Sequence, residues 1–132
     1  MGAPLTATHR VRTYELDSFG HVNNAVFLNY LEHARTEYLL QRGLSFTIFK
    51  KWNAFPYVVE VDIKYKAPAV VHDILEIRGE ITSWRRVSFV LHYEIFNQTK
   101  NRLCAVADVT FGFVDRNEKL ISIPAEFRQK MS

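Results

Sequence analysis

The chain contains one long helical pattern, and this restricts its fold more than any other feature of the sequence. Between residues 25 and 43, apolar side chains recur at spacings of four and three, and polar side chains fill the opposite side. Such a stripe is typical of an amphipathic helix with one buried face. A helix of this length would extend about 28 Å, enough to cross a sheet. The predicted stripe consists of Val26, Phe27, Tyr30, Leu31, Ala34 and Tyr38.

Short polar residues and a glycine mark the two ends of this helix. Asn23 or Asn24 can cap the N-terminus, because a short side-chain oxygen accepts hydrogen bonds from the free N–H groups of the first turn. Gly43 is well placed to end the helix. A short second helix or turn is predicted for residues 45–53.

Most of the remaining chain alternates between apolar and polar residues, as β-strands do. A first strand is predicted over residues 5–15, and long strands follow the helical region, the first with Val59, Val61, Ile63 and Tyr65 on one face. Short connections between these strands predict antiparallel pairing. The expected fold is α+β: a curved antiparallel sheet of about five strands around one central helix, in a single domain of residues 1–132.

Apolar residues also occur on the nominally polar side of the strands, which predicts contacts between subunits in a dimer or tetramer. The net charge is only +3 and the basic residues are dispersed, so no nucleic-acid partner is expected. No apolar run approaches the roughly 20 residues of a membrane span, so no membrane insertion is expected. The apolar residues on the nominally polar side of the strands, which would make these subunit contacts, are Val90, Phe96, Val106 and Val114.

Cysteine and histidine usage gives no indication of metal binding. Cys104 is alone, which excludes an internal disulfide and favours a reducing cytoplasm. The five histidines show no HxH or HExxH spacing, so no metal site is expected. The start MGAPLT formally fits a myristoylation pattern, and we attribute this match to chance.

The loop that enters the helix, residues 16–23, carries the residues with chemical potential. An aspartate at position 17 is ionised at neutral pH and can attack a carbonyl or orient water. The N-terminus of a helix favours a developing negative charge, because its N–H groups and dipole point there. The alternative is structural: Asp17 would accept backbone N–H groups of its own loop, and Gly20 would serve an ordinary turn.

The segment YELDSFGHVNNAVFLNYLEHAR, residues 14–35, resembles the signature of the 4-hydroxybenzoyl-CoA thioesterase-like acyl-CoA thioesterases, which have the hotdog fold. In that family a strand ends in an aspartate, a glycine follows three residues later, and a helix begins shortly after. Asp17 and Gly20 match these positions. The resemblance implies that Asp17 carries catalysis as nucleophile or general base. It also implies that the main-chain N–H of Asn24, seven residues later, polarises the thioester carbonyl.

The segment HVNN, residues 21–24, is also similar to the plant acyl-ACP thioesterases. His21 matches a histidine with an assigned catalytic role there. However, the asparagine that this family carries two residues after its aspartate is Phe19 here. One branch of hotdog thioesterases uses a helix glutamate instead, a role that Glu32 or Glu37 could take.

The resemblance implies an acyl-CoA thioesterase that is dimeric or tetrameric, with coenzyme A as part of the substrate and no separate cofactor. Basic side chains at the surface would hold the coenzyme A phosphates. The alternatives are an acyl-ACP thioesterase, a non-catalytic acyl-CoA or acyl-carrier binding module, and a hotdog dehydratase. The last would require a catalytic histidine, and His72 and His92 lack the expected Gly/Pro-rich surroundings. The candidate phosphate ligands are Lys64, Lys66, Arg85 and Arg86.

Overall fold

A computed structural model describes residues 4–132. The MGAPLT motif begins outside these residues. The described chain forms five strands and three α-helices, with one turn of 3-10 helix at Thr13–Glu15. The α+β class is therefore confirmed, as is the predicted short second helix. The elements are β1 (Leu5–Arg10), α1 (Asn24–Gln41), α2 (Phe46–Trp52), β2 (Phe55–Tyr65), β3 (Ile74–Trp84), β4 (Ser88–Asn97), β5 (Arg102–Val114) and α3 (Ala125–Met131).

The five strands form one antiparallel sheet in the order β1-β3-β4-β5-β2, so that β1 and β2 are its edges. Helix α1 packs against one face of this sheet. Near its C-terminal end, the Tyr38 hydroxyl donates a hydrogen bond of 2.6 Å to the carbonyl of Ile77. A Cβ atom at Gly79 would lie 2.5 Å from the Tyr38 ring, so a glycine is needed where the helix meets β3.

The predicted description of α1 is confirmed at both ends and along its buried face. The side chain of Asn23 caps the helix by accepting from the N–H of Ala25 at 2.8 Å. Gly43 follows the helix with a φ of +73°, in the left-handed region. Of the predicted stripe, Val26 is partly buried, and the other members are buried: Phe27, Tyr30, Leu31, Ala34 and Tyr38.

The first strand is shorter than predicted. It ends at Arg10, because the Glu15 carboxylate accepts from the N–H of Arg12 at 2.8 Å and draws the chain into a 3-10 turn.

The predicted alternation of β2 is also wrong at one position. A β-bulge lies between Val58 and Glu60. Val58 pairs with Phe111 and Val61 pairs with Val109, so Val58 and Val61 share the helix-facing side. Val59 is the extra, unpaired residue of this bulge, so the strict alternation is interrupted there.

Edge strand β2 leaves several apolar side chains accessible, among them Val58, Val59 and Val61 at 42%, 55% and 42% exposure. The other sheet face carries the half-buried Val90 and Val106. Among residues 4–132, no helix has the length and apolar character needed to cross a bilayer.

Candidate functional site

A short series of backbone hydrogen bonds holds the Asp17 loop against the start of α1. The carbonyl of Glu15 accepts from the N–H of Asn23 at 3.0 Å, and the N–H of Asp17 donates to the carbonyl of His21 at 2.7 Å. The chain thus folds back on itself between residues 15 and 23. As a result, Asp17 and the first helical residue, Asn24, are fixed on two sides of the same small turn.

The Asp17 side chain organises this turn. Its Oδ1 accepts from the N–H groups of Phe19 at 2.8 Å and His21 at 3.3 Å. Gly20 has a φ of +82°, a backbone conformation that favours glycine in this turn, and among residues 4–132 an added Cβ would meet no atom within 4 Å. The carboxylate is half-buried, and within residues 4–132 its Oδ2 has no hydrogen-bond partner. One oxygen therefore builds the loop, and the other stays available.

The N-terminus of α1 presents a main-chain donor without an acceptor. The capping side chain of Asn23 is taken by the N–H of Ala25, and no group in the described chain accepts from the N–H of Asn24. The carbonyl of Asn24 is held from the other side, because the Tyr65 hydroxyl donates to this oxygen at 2.9 Å. The Tyr65 ring packs edge-on against Phe27. The first turn of the helix is thereby fixed with one N–H ready for a ligand oxygen.

Glu15, two residues before Asp17, is a buried residue that the sequence did not reveal. It is 8% exposed. It accepts from the Tyr30 hydroxyl and the N–H of Arg12, both at 2.8 Å, and contacts His9 Nε2 at 3.0 Å. Burial opposes ionisation of this carboxyl, but the hydrogen bonds outweigh it and lower the pKa of Glu15 below its usual value. The charged Glu15 anchors the base of the Asp17 loop.

The side chains of two loop residues lie at the surface of the loop. The His21 side chain is exposed and makes no hydrogen bond among residues 4–132. Phe19, at the position where the plant family has asparagine, is 84% exposed. The structure therefore brings together Asp17, Gly20 and Asn24 and leaves His21 at the rim.

The four predicted phosphate ligands are not gathered within one protomer. Lys64 and Lys66 flank Tyr65 near the start of α1. Lys64 lies on the sheet face away from the helix, and Lys66 follows the end of β2. Arg85 and Arg86 lie in the turn after β3. The sheet register aligns Lys64 with Arg78, so Arg85 lies seven residues, about 23 Å, further along β3.

Two of these four cations also have local partners. Lys64 pairs with an aspartate carboxylate at 3.1 Å. Arg86 donates to the Ser122 hydroxyl at 3.0 Å. The main chain of Arg85 is engaged as well, since its carbonyl accepts from the Arg128 guanidinium.

The competing catalytic groups are placed less favourably. His92 contacts Asp108 at 2.9 Å on the sheet face opposite the helix, so it cannot pair with an acid of α1 as a dehydratase histidine would. Glu32 is exposed and pairs with Arg35 at 2.8 Å. Within residues 4–132 no three His, Cys, Asp or Glu side chains form a group that could hold a metal ion.

One long helix on an antiparallel sheet, entered through a turn that carries a carboxylate near the helix start, is the arrangement expected of the hotdog fold. The sequence profile of the thioesterase-like superfamily matches residues 11–131. The chain is 33% identical over 123 residues to long-chain acyl-CoA thioesterase FadM of Escherichia coli strain K12, with 92% of each chain covered.

A second relative and a solved structure support the same family and fold. The chain is 35% identical over 126 residues to acyl-CoA thioester hydrolase YbgC of Escherichia coli O6:H1, covering 90% of this chain and 93% of that one. The crystal structure of Slr0204, a 1,4-dihydroxy-2-naphthoyl-CoA thioesterase from Synechocystis, shares the fold with a TM-score of 0.88 and 22% identity, over 98% of this chain and 96% of that chain. The chain belongs to the thioesterase-like superfamily, and the predicted hotdog fold and thioester hydrolase class are confirmed.

Proposed function

We propose that the protein hydrolyses acyl-CoA thioesters to free acid and coenzyme A, with Asp17 as nucleophile or general base and the N–H of Asn24 polarising the carbonyl. The observation that carries this proposal is the unpaired N–H of Asn24, fixed at a helix start beside a carboxylate with an unengaged oxygen. Similarity to the acyl-CoA thioesterases FadM and YbgC supports the substrate class.

The two groups divide the chemistry between them. The thioester oxygen would accept from the Asn24 N–H, and the helix dipole would stabilise the negative charge that develops there. In the nucleophilic route, Asp17 attacks the carbonyl carbon, the coenzyme A thiolate leaves, and water then hydrolyses the mixed anhydride. In the general-base route, Asp17 takes a proton from a water whose oxygen attacks the carbonyl directly. Both routes release the acid and the thiol.

The same proposal includes a homodimer that assembles further to a tetramer. Strand β2 is a long edge strand with exposed apolar side chains, and an unpaired edge of this kind pairs readily with a second copy. The outer sheet face, with Val90, Phe96, Val106 and Val114, would supply the second contact. Sedimentation of the wild type and of a variant with Val59→Lys on the β2 edge would test the first contact.

The coenzyme A moiety would approach from the end of β2, where Lys64 and Lys66 stand near the helix start. Arg85 and Arg86 would contribute from a neighbouring subunit, because within one protomer Arg85 lies about 23 Å further along the sheet than Lys64. Coenzyme A is part of the substrate, and the protein's own carboxylate and N–H supply the proposed chemistry. A cytoplasmic location stays a prediction, supported by the single free, buried Cys104.

Thiol release from a panel of acyl-CoA and acyl-ACP thioesters tests the proposal. The wild type should release thiol from acyl-CoA, and Asp17→Asn should be slower by about 10²–10⁴-fold, the usual contribution of a catalytic base. Full activity of Asp17→Asn would refute the assigned mechanism. A wild type that binds acyl-CoA without cleaving it would instead establish a binding module, and a preference for acyl-ACP would change the substrate.

A further inference from the structure

A groove runs between α1 and edge strand β2, and it contains two neighbouring cavities. The near cavity, of about 300 Å³, lies beside Leu28, with Val61 as part of its β2 wall. The far cavity, of about 380 Å³, is bounded by Leu40 and Phe46. Arg35 lines both cavities. It therefore stands at the boundary between the two halves of one groove.

The groove starts at the proposed catalytic site. Asn24, Leu28 and Arg35 follow one another along the same side of α1, at spacings of four and seven residues. Strand β2 runs in the opposite direction along the groove, since its Tyr65 end contacts Asn24 and its Phe55 end lines the far cavity. An acyl chain whose carbonyl oxygen is bound at Asn24 would thus meet the near cavity about one helical turn away, roughly 6 Å.

The lining of the far cavity fits a hydrocarbon chain. Leu40 and Phe46 are 55% and 68% exposed and contribute adjacent apolar surface to the same cavity. Continuity with the catalytic groups argues that the occupant is the acyl tail of the substrate. Pairing of β2 with a second subunit would cover the open side of the same groove.

Among the described residues, the Arg35 guanidinium has an ion-pair partner and a ring contact, and both contacts can be exchanged. The guanidinium pairs with the exposed Glu32 at 2.8 Å and lies 5.3 Å from the centre of the Phe111 ring. Both contacts involve the charged tip of a long, flexible side chain. The guanidinium can swing outward to water while the helix backbone stays in place.

We propose that Arg35 is a gate in the acyl groove that determines the chain-length preference of the enzyme. This inference rests on the proposed thioesterase function. A short acyl chain ends in the near cavity and leaves Arg35 in place. A longer chain reaches the far cavity only after displacing the guanidinium, and each methylene buried beyond the gate then strengthens binding about fourfold.

The test is kcat/KM of Arg35→Ala for a straight-chain series from butyryl-CoA to stearoyl-CoA. Removing the gate should raise the ratio of kcat/KM for long chains to kcat/KM for short chains about three- to tenfold. This factor corresponds to the free energy of the two contacts that a long chain must break in the wild type. Arg78→Ala is the matched control. Arg78 also pairs with a glutamate, Glu76, at 2.6 Å and lies 5.0 Å from the Phe96 ring centre, but on the opposite sheet face. It should leave the length profile unchanged.

A second pair of variants tests the far cavity separately. Leu40→Ser should weaken long-chain substrates about fourfold or more and leave short ones unaffected. Leu120 is exposed to nearly the same extent, 54%, and lies outside the groove. Leu120→Ser should therefore change the activity toward neither long-chain nor short-chain substrates.

Binding is measured as well as turnover, so that a wrong gate proposal can be distinguished from a wrong thioesterase proposal. Dissociation constants of the same acyl-CoA series are measured with Asp17→Asn, alone and combined with Arg35→Ala. A length-dependent gain in the combined variant supports the gate even if the wild type cleaves no thioester. An equal change at every chain length, in binding and in turnover, would show that Arg35 is merely structural and would overturn the gate.

Discussion

Two turns of this molecule have the same hydrogen bonds and different surroundings. In each, an aspartate Oδ1 accepts from the N–H groups two and four residues later: 2.8 and 3.3 Å at Asp17, 2.9 and 3.0 Å at Asp115. In each, the aspartate N–H donates to the carbonyl four residues later. A β-bridge joins the residues flanking both turns. Both aspartates are half-buried.

The two turns lead into different parts of the fold. The Asp17 turn leads directly into α1, whose first residue, Asn24, has an N–H without an acceptor among residues 4–132. The Asp115 turn leads back along the end of β5, with its bridge from Val114 to Leu120. A carboxylate that organises a turn is therefore no evidence of catalysis by itself. The helix start beside it makes the Asp17 turn a candidate active site.

After replacement of the Asp17 carboxylate, the largest effect on turnover is expected when the helix N–H is removed and the turn is left intact. Asn24→Pro deletes the main-chain donor, and proline is well tolerated at the first helical position. The preceding Asn23, with φ −61° and ψ 138°, already has the conformation that proline requires of its neighbour. We expect kcat to fall about 10²–10³-fold, as when one oxyanion donor is lost.

Asn24→Ala is the control for this substitution, because it keeps the N–H and removes only the side chain. It should retain nearly full activity, and circular dichroism should show the same helix content for both variants. Equal kcat values for the two variants would remove the helix start from the mechanism.

A smaller effect, on stability, is expected at the buried anchor of the Asp17 turn. Glu15→Gln weakens charge-assisted hydrogen bonds and should cost about 1–3 kcal/mol in urea unfolding at neutral pH. The pKa of Glu15 is lower in the folded protein than in the unfolded chain, so its stabilisation is complete above about pH 4.5 and is lost as the pH falls through the folded pKa.

The wild type should therefore lose its advantage over Glu15→Gln below about pH 4.5. Glu118→Gln, an exposed substitution in the Asp115 turn, should behave as the wild type does at every pH. A constant difference between the wild type and Glu15→Gln across this range would contradict the assigned ionisation.

The residues three positions after the two aspartates provide a contrast in backbone strain. Gly20 and Glu118 both have positive φ, of 82° and 63°. Gly20→Ala should destabilise the protein by about 1–2 kcal/mol, and Glu118→Gly should relieve a strain of up to that size. Thermal unfolding of both variants would show shifts of opposite sign. Shifts of the same sign would mean that the two turns are not equivalent in backbone energy.

The smallest effect is expected at His21. Its side chain is exposed and unpaired among the described residues, so His21→Gln should lower kcat/KM by much less than the roughly 10² of a missing acid or base. The pH–rate profile should keep its shape. If the pH–rate profile of His21→Gln lacked one of the limbs seen in the wild type, His21 would have a direct role.

Local periodicity was sufficient to predict the helix and the strand-rich remainder. The stripe from Phe27 to Tyr38 and the cap at Asn23 depend on neighbours within a few residues, which the sequence displays directly. The first strand was predicted too long because its end depends on Glu15, whose partners His9 and Tyr30 come together only in the folded chain. A charged residue in an alternating segment reads as exposed, and this one is buried.

The part of the candidate site that lies in one sequence motif was predictable. The part that forms only when distant segments come together in the fold was not. The spacing of Asp17, Gly20 and Asn24 predicted a site whose backbone geometry the structure then supplies. The groove beside Arg35 is lined by helix and strand residues that are distant in sequence, such as Arg35 and Val58, and no local pattern joins them. The bulge at Val59 is likewise invisible in the sequence, since both Val58 and Val59 are apolar and either could face the helix.

The most direct test of the account compares kcat for Asp17→Asn and Asp115→Asn on one acyl-CoA substrate. Asparagine keeps the oxygen that accepts both turn N–H groups, so both variants should fold as the wild type does. We predict that kcat of Asp17→Asn is about 10²–10⁴-fold lower than that of the wild type, and that kcat of Asp115→Asn stays within about twofold of the wild type. Equal rates for the two variants would show that Asp17, like Asp115, only builds its turn.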